Sequence, residues 1–175
     1  ESEMKSVLAT ALLAATALTT SPAHAAVIDF EEVAITNPFL GEGPVPNGYA
    51  GLNWENVNVV LGSAVPGTGY ENGVVSGEKA AISIFGAPAT ISAPSGTFTF
   101  EGGWFTSGWL ETDTGMVAGY LDDGDLLPDY VMVFDINSVT PVFLDVSWNG
   151  LYMLIFGALG ENIAVVDDLR ISLDA

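Results

Sequence analysis

The chain has 175 residues, with 22 Asp and Glu against 3 Lys and Arg and a net charge of −19. Nucleic acid is excluded as a partner, and so are anionic lipid surfaces, because polyanions are held by Lys and Arg and repel a chain this acidic. With no cysteine there is no disulfide, thiolate metal site or cysteine nucleophile, and 49% apolar against 14% charged residues describes a folded domain with a sizeable core.

Residues 1–25 read as a signal peptide: Met4 and Lys5, an uncharged apolar run from Val7 to Leu18, then Ser21-Pro22-Ala23-His24-Ala25 as a small-residue cleavage site. The run is short for a membrane span, so the mature chain is expected without one, secreted to the extracellular space or cell surface. Cleavage after Ala25 removes Glu1, Glu3 and Lys5, taking the charge from −19 to −18, and removes His24, the sole histidine. A Ser-His-Asp triad, a histidine-ligated zinc and a histidine general base are then impossible, and Lys79 and Arg170 are the basic residues left. The expectation is a protein that is not an enzyme. A carboxylate-dependent glycosidase is permitted, but no residue pair singles one out.

From residue 26 onward short apolar or alternating runs recur between Gly, Pro, Asn, Asp and Ser clusters: 27–33, 51–61, 73–76, 80–85, 89–93, 97–101, 104–111, 116–121, 129–136, 142–148, 151–156 and 163–173. About ten strands at this spacing predict an all-β, antiparallel two-sheet β-sandwich or jelly roll over residues 26–175, a single domain with almost no helix.

In the first run Ile28 and Phe30 point inward and carry Glu32 with them, leaving Asp29 and Glu31 on the other side. In the last run Val165, Leu169 and Ile171 share one side with Asp167, while Asp168 and Arg170 face outward. A sheltered carboxylate needs compensation. First and last strands often neighbour each other in jelly rolls, so Glu31 or Glu32 with Asp167 could hold a structural calcium. Equally, Asp167 could accept backbone N–H groups or pair with Arg170 or Lys79.

Two hairpins are predicted. Asp122-Asp123-Gly124-Asp125 is a turn in preference to a calcium loop, since the EF-hand pattern stops after its opening residues. Asn149-Gly150 calls for a type I′ turn that pairs Trp148 with Leu151, Val146 with Met153 and Leu144 with Ile155 on a core face. The opposite face then carries Phe143, Tyr152, Leu154 and Phe156. It is either covered by another layer or is a partner surface, including one for self-association.

Among the aromatics, Trp54 and Trp148 are assigned to the core. Trp104 and Trp109 fall on opposite faces unless Gly108 makes a bulge, so one of the two is expected to face outward. That tryptophan, with Tyr49 in its Gly-flanked loop, is the candidate platform for stacking a sugar ring.

The stretches Ile28-Asp29-Phe30-Glu31-Glu32, Pro46-Asn47-Gly48-Tyr49-Ala50-Gly51-Leu52-Asn53-Trp54, Gly96-Thr97-Phe98-Thr99-Phe100, Gly108-Trp109 and Val166-Asp167-Asp168-Leu169-Arg170-Ile171 resemble secreted bacterial β-sandwich proteins of the PEP-CTERM type. No Pro-Glu-Pro sorting signal of that type occurs up to Ala175. The acidic opening strand and closing Asp-Asp also resemble jelly-roll carbohydrate-binding modules, and that resemblance implies a structural calcium between first and last strands, on Glu31 or Glu32 with Asp167. The expected function is non-catalytic binding of polysaccharide or extracellular matrix, with a self-assembling surface protein as the alternative.

Overall fold

The computed structural model describes residues 26–84, 87–160 and 162–174; the expected signal peptide lies outside them. The strands are β1 Ala26–Ile28, β2 Glu42–Pro44, β3 Asn53–Glu55, β4 Val57–Leu61, β5 Lys79–Ser83, β6 Ala89–Ser92, β7 Phe98–Ser107, β8 Asp113–Tyr120, β9 Tyr130–Ile136, β10 Val142–Leu151, β11 Met153–Ala158 and β12 Ala164–Leu173, with a one-turn helix α1 at Gly69–Asn72. One sheet runs β10-β7-β12-β5-β4-β2, with β1 also on β12, and the other runs β3-β6-β11-β8-β9. Every paired strand is antiparallel. The molecule is the expected antiparallel two-sheet β-sandwich.

Between the sheets lies an apolar core that includes Phe30, Leu52, Phe98, Phe100, Phe105, Leu154, Phe156 and Leu169. Alternation along each strand supplies these side chains, since every second residue faces the other sheet. First and last strands do pair, with Ile28 opposite Leu169. Three other expectations change. The run 51–61 is two strands in different sheets, separated at Asn56, whose φ of 56° turns the chain from one layer to the other. The runs 97–101 and 104–111 fuse into β7. Residues 73–76 form no strand and follow α1 as a loop.

The Asn149-Gly150 hairpin is absent. β10 runs through it to Leu151 and pairs with β7, whereas β11 belongs to the other sheet. Gly150, at φ 71°, instead accompanies a register shift between Trp148 and Leu151. An Asn-Gly pair supplies the backbone freedom for a bulge as readily as for a turn. The 122–125 turn does join a hairpin, β8 with β9.

A second, smaller core lies on the outer face of the seven-stranded sheet, where Tyr70 of α1 packs with Val60, Ala80, Ile82 and Val165. Thr68 caps α1, accepting from the Tyr70 amide at 3.2 Å. The helix sits close because Gly69 has no side chain; a Cβ there would overlap the Ser107 carbonyl. The segment from Gly62 to Glu78 thus covers the outer face over β4, β5 and the Thr106–Ser107 end of β7, and leaves open the part that carries Trp104 and Phe143.

Candidate functional site

The site builds from the register of three strands. Trp104 on β7 has Phe143 of β10 as its partner on one side and Asp167 of β12 on the other, so all three side chains project from the outer face in one row. Trp104 and Phe143 are half-buried, with ring centroids 5.1 Å apart at 60°. The next outward position on β12 is Arg170, opposite Gly102, and its guanidinium carbon lies 4.6 Å from the Phe143 ring centroid. Such a contact holds a planar cation against a π face while its N–H groups stay free to bond outward. Further along, Thr99 and Ser172 are paired, and the Thr99 hydroxyl donates to Asp174 at 3.1 Å, with the Asn149 amide oxygen 3.3 Å away. The open part therefore carries an aromatic pair, a cation and a polar end along roughly 15 Å of strand, taking the ordinary rise per residue.

At the border with the covered part, Asp167 is fully buried. Its carboxylate accepts from the amides of Val75 at 2.7 Å, Ser76 at 2.9 Å and Asp168 at 2.8 Å. Burial pushes this carboxyl up to about 7, and the three N–H groups only partly pull it back. Glu31 does similar work from the other end of the chain: its Oε1 accepts from Glu78 at 2.9 Å and Lys79 at 2.8 Å. Lys79 in turn donates to the carbonyls of Glu31 and Val33. Gly77, at φ 62°, permits the approach, since a Cβ there would overlap the Glu31 carboxylate.

The calcium ligands expected from sequence do not form a cation cage. Among the described residues no three His, Cys, Asp or Glu side chains converge. Glu31 and Asp167 face backbone N–H donors, two on Glu31 Oε1, two on Asp167 Oδ2 and one on Asp167 Oδ1. Glu32 is exposed and does not follow Phe30 inward, because Phe30 at φ 61° ends the alternation and Val33 turns back to donate to its carbonyl. Asp167 is sheltered as expected, but on the outer face. Asp168, at φ 48° beside a register shift, is the residue that flips the parity and returns Leu169 and Ile171 to the inter-sheet core.

The predicted ligand-binding aromatics lie in three separate places. Tyr49 is half-buried in a 3₁₀ turn against Phe30 and Trp54, where burial and then Asp29 push its hydroxyl up to about 12. Trp109 is exposed past the end of β7 and meets the buried Tyr70 edge-on at 5.1 Å. Trp104 alone belongs to the row described. The predicted partner surface also separates: Leu154 and Phe156 are inter-sheet core, Tyr152 stands at the bend between β10 and β11, and Phe143 joins Trp104. Sequence reasoning placed Arg170 outward without assigning it to a site. Its rarity as a cation was the available signal.

No family model matches the chain, so the PEP-CTERM resemblance is unsupported. No curated protein matches either. Among solved structures, TmCBM61 in complex with β-1,4-galactotriose is similar at 12% identity, covering 74% of this chain and 95% of that one, with a TM-score of 0.36. An overlap this loose transfers no ligand, and the site stands on its own residues.

Proposed function

We propose that the chain is a secreted, non-catalytic β-sandwich that binds a polysaccharide on the open part of the seven-stranded sheet. The observation that carries this reading is the Trp104–Phe143 pair with Arg170 laid against it. An indole or phenyl face matches the apolar C–H face of a pyranose, and a guanidinium with nearby hydroxyl and carboxylate groups suits its ring of hydroxyls. The overall charge disfavours a polyanionic ligand, since one guanidinium cannot offset a chain at −19. A neutral glycan fits best.

A glycan array probed with the purified protein tests this, followed by calorimetry on the best ligand. Trp104→Ala and Arg170→Ala are each expected to weaken binding by about tenfold, roughly the 1.4 kcal/mol of one good contact. Trp109→Ala and Tyr49→Phe are expected to bind as the parent does. Absence of glycan binding, or full affinity in Trp104→Ala, would overturn the proposal.

A further inference from the structure

The two sheets present five edge strands, β10, β2, β1, β3 and β9, and four of them are protected in ordinary ways. β1, β2 and β3 have three residues each, β2 closing on Pro44. β10 is broken by two register shifts. Short length, proline and bulges all discourage a further strand from pairing. β9 has none of these. Its seven residues pair with β8 at seven consecutive positions without a shift, and its sequence, Tyr-Val-Met-Val-Phe-Asp-Ile, contains one charge and neither Gly nor Pro.

The side chains beside this edge are apolar as well. Val131 and Val133 are each 53% exposed, and the preceding loop leaves Leu126 95% and Leu127 79% exposed. Inland, Val133 adjoins Met116, so the strip continues over β8. We propose that β9 is a self-association edge: two copies pair β9 to β9 in antiparallel fashion about a two-fold axis, joining their five-stranded sheets into one.

Two observations select a second copy as the occupant. First, an antiparallel strand is self-complementary under a two-fold axis. An axis at Val133 sets that residue against Val133 of the partner subunit and brings each Asp135 beside the other copy's Val131. The two Asp135 side chains then stand about 13 Å apart, beyond the Debye length of about 8 Å at physiological salt, while each comes to about 8 Å from Asp129 of the partner subunit, the pair whose repulsion added salt screens. Second, with 22 acidic residues against 3 basic ones, the surface attracts cationic partners to its charged regions. The strip 126–134 holds a single charge, Asp129, whose carboxylate accepts the Leu121 amide at 2.9 Å. Two copies of so acidic a chain bring few charges together at this strip, and added salt should favour their meeting.

Sedimentation equilibrium of the purified chain at low and high salt, over a range of micromolar concentrations and without sugar, tests the proposal. The expected result is a monomer–dimer equilibrium that shifts toward dimer by about tenfold as salt screens the repulsion. Val133→Lys is expected to be monomeric throughout. Val133→Thr, which keeps a strand-forming side chain, should associate more weakly than the parent, and Val27→Lys on the other sheet should associate like it. A parent that stays monomeric, association that weakens with salt, growth past the dimer, or a Val133→Thr chain that dimerises like the parent would each overturn the assignment.

Discussion

The buried carboxylate of Asp167 accepts the backbone N–H of Ser76 at 2.9 Å, tying the last strand to the segment that covers part of the sheet's outer face. Val75 donates to the same oxygen at 2.7 Å. The open and covered parts of the sheet are divided at this residue.

Stability should vary with pH through Asp167. Its folded carboxyl titrates at about 7, and burial is the main cause. An unfolded carboxyl titrates near 4, so between about pH 4 and 7 the folded form binds more protons. The contribution of this group is therefore full below about pH 4 and is lost as pH rises through 7. Urea midpoints across this window should fall with rising pH more steeply in the parent than in Asp167→Asn. Parallel curves would contradict the assignment.

Asp167→Ala leaves the Val75 and Ser76 amides without their acceptor and is expected to cost about 1–3 kcal/mol. Hydrogen exchange should then quicken at residues 74–78, with β8 and β11 unaffected. Glu31→Gln should cost less, because an amide oxygen can still accept from Glu78 and Lys79.

Thermal midpoints should be the same with added calcium as with chelator, because Glu31 and Asp167 are each tied to backbone N–H donors and no group of three acidic side chains forms among the described residues. A calcium-dependent rise that disappears in Glu31→Gln would restore the ion-bound reading of this cluster.

Leu154→Ala and Phe156→Ala should each cost about 2–5 kcal/mol, since both side chains fill the inter-sheet core. Phe143→Ala, half-exposed beside Trp104, should cost clearly less and act mainly on glycan affinity. Equal losses at all three positions would argue that Phe143 is structural alone.

Alternation and turn residues are local properties, and they were enough to read an all-β sandwich, the inward Ile28 and Phe30, the outward Arg170 and the shelter of Asp167. Composition by itself removed thiol chemistry and weighed against polyanion binding. The tertiary structure decided which strands pair and where parity breaks. A period of two is the same whatever partner a strand finds, so Trp148 reads as core whether β10 meets β11 or β7. Bulges at Asp168 and Asn149-Gly150 each reverse every side chain beyond them, and long-range packing selects them. Trp104, Phe143 and Arg170 come from three strands far apart in the chain, and only the packing of β7 between β10 and β12 places them on one face.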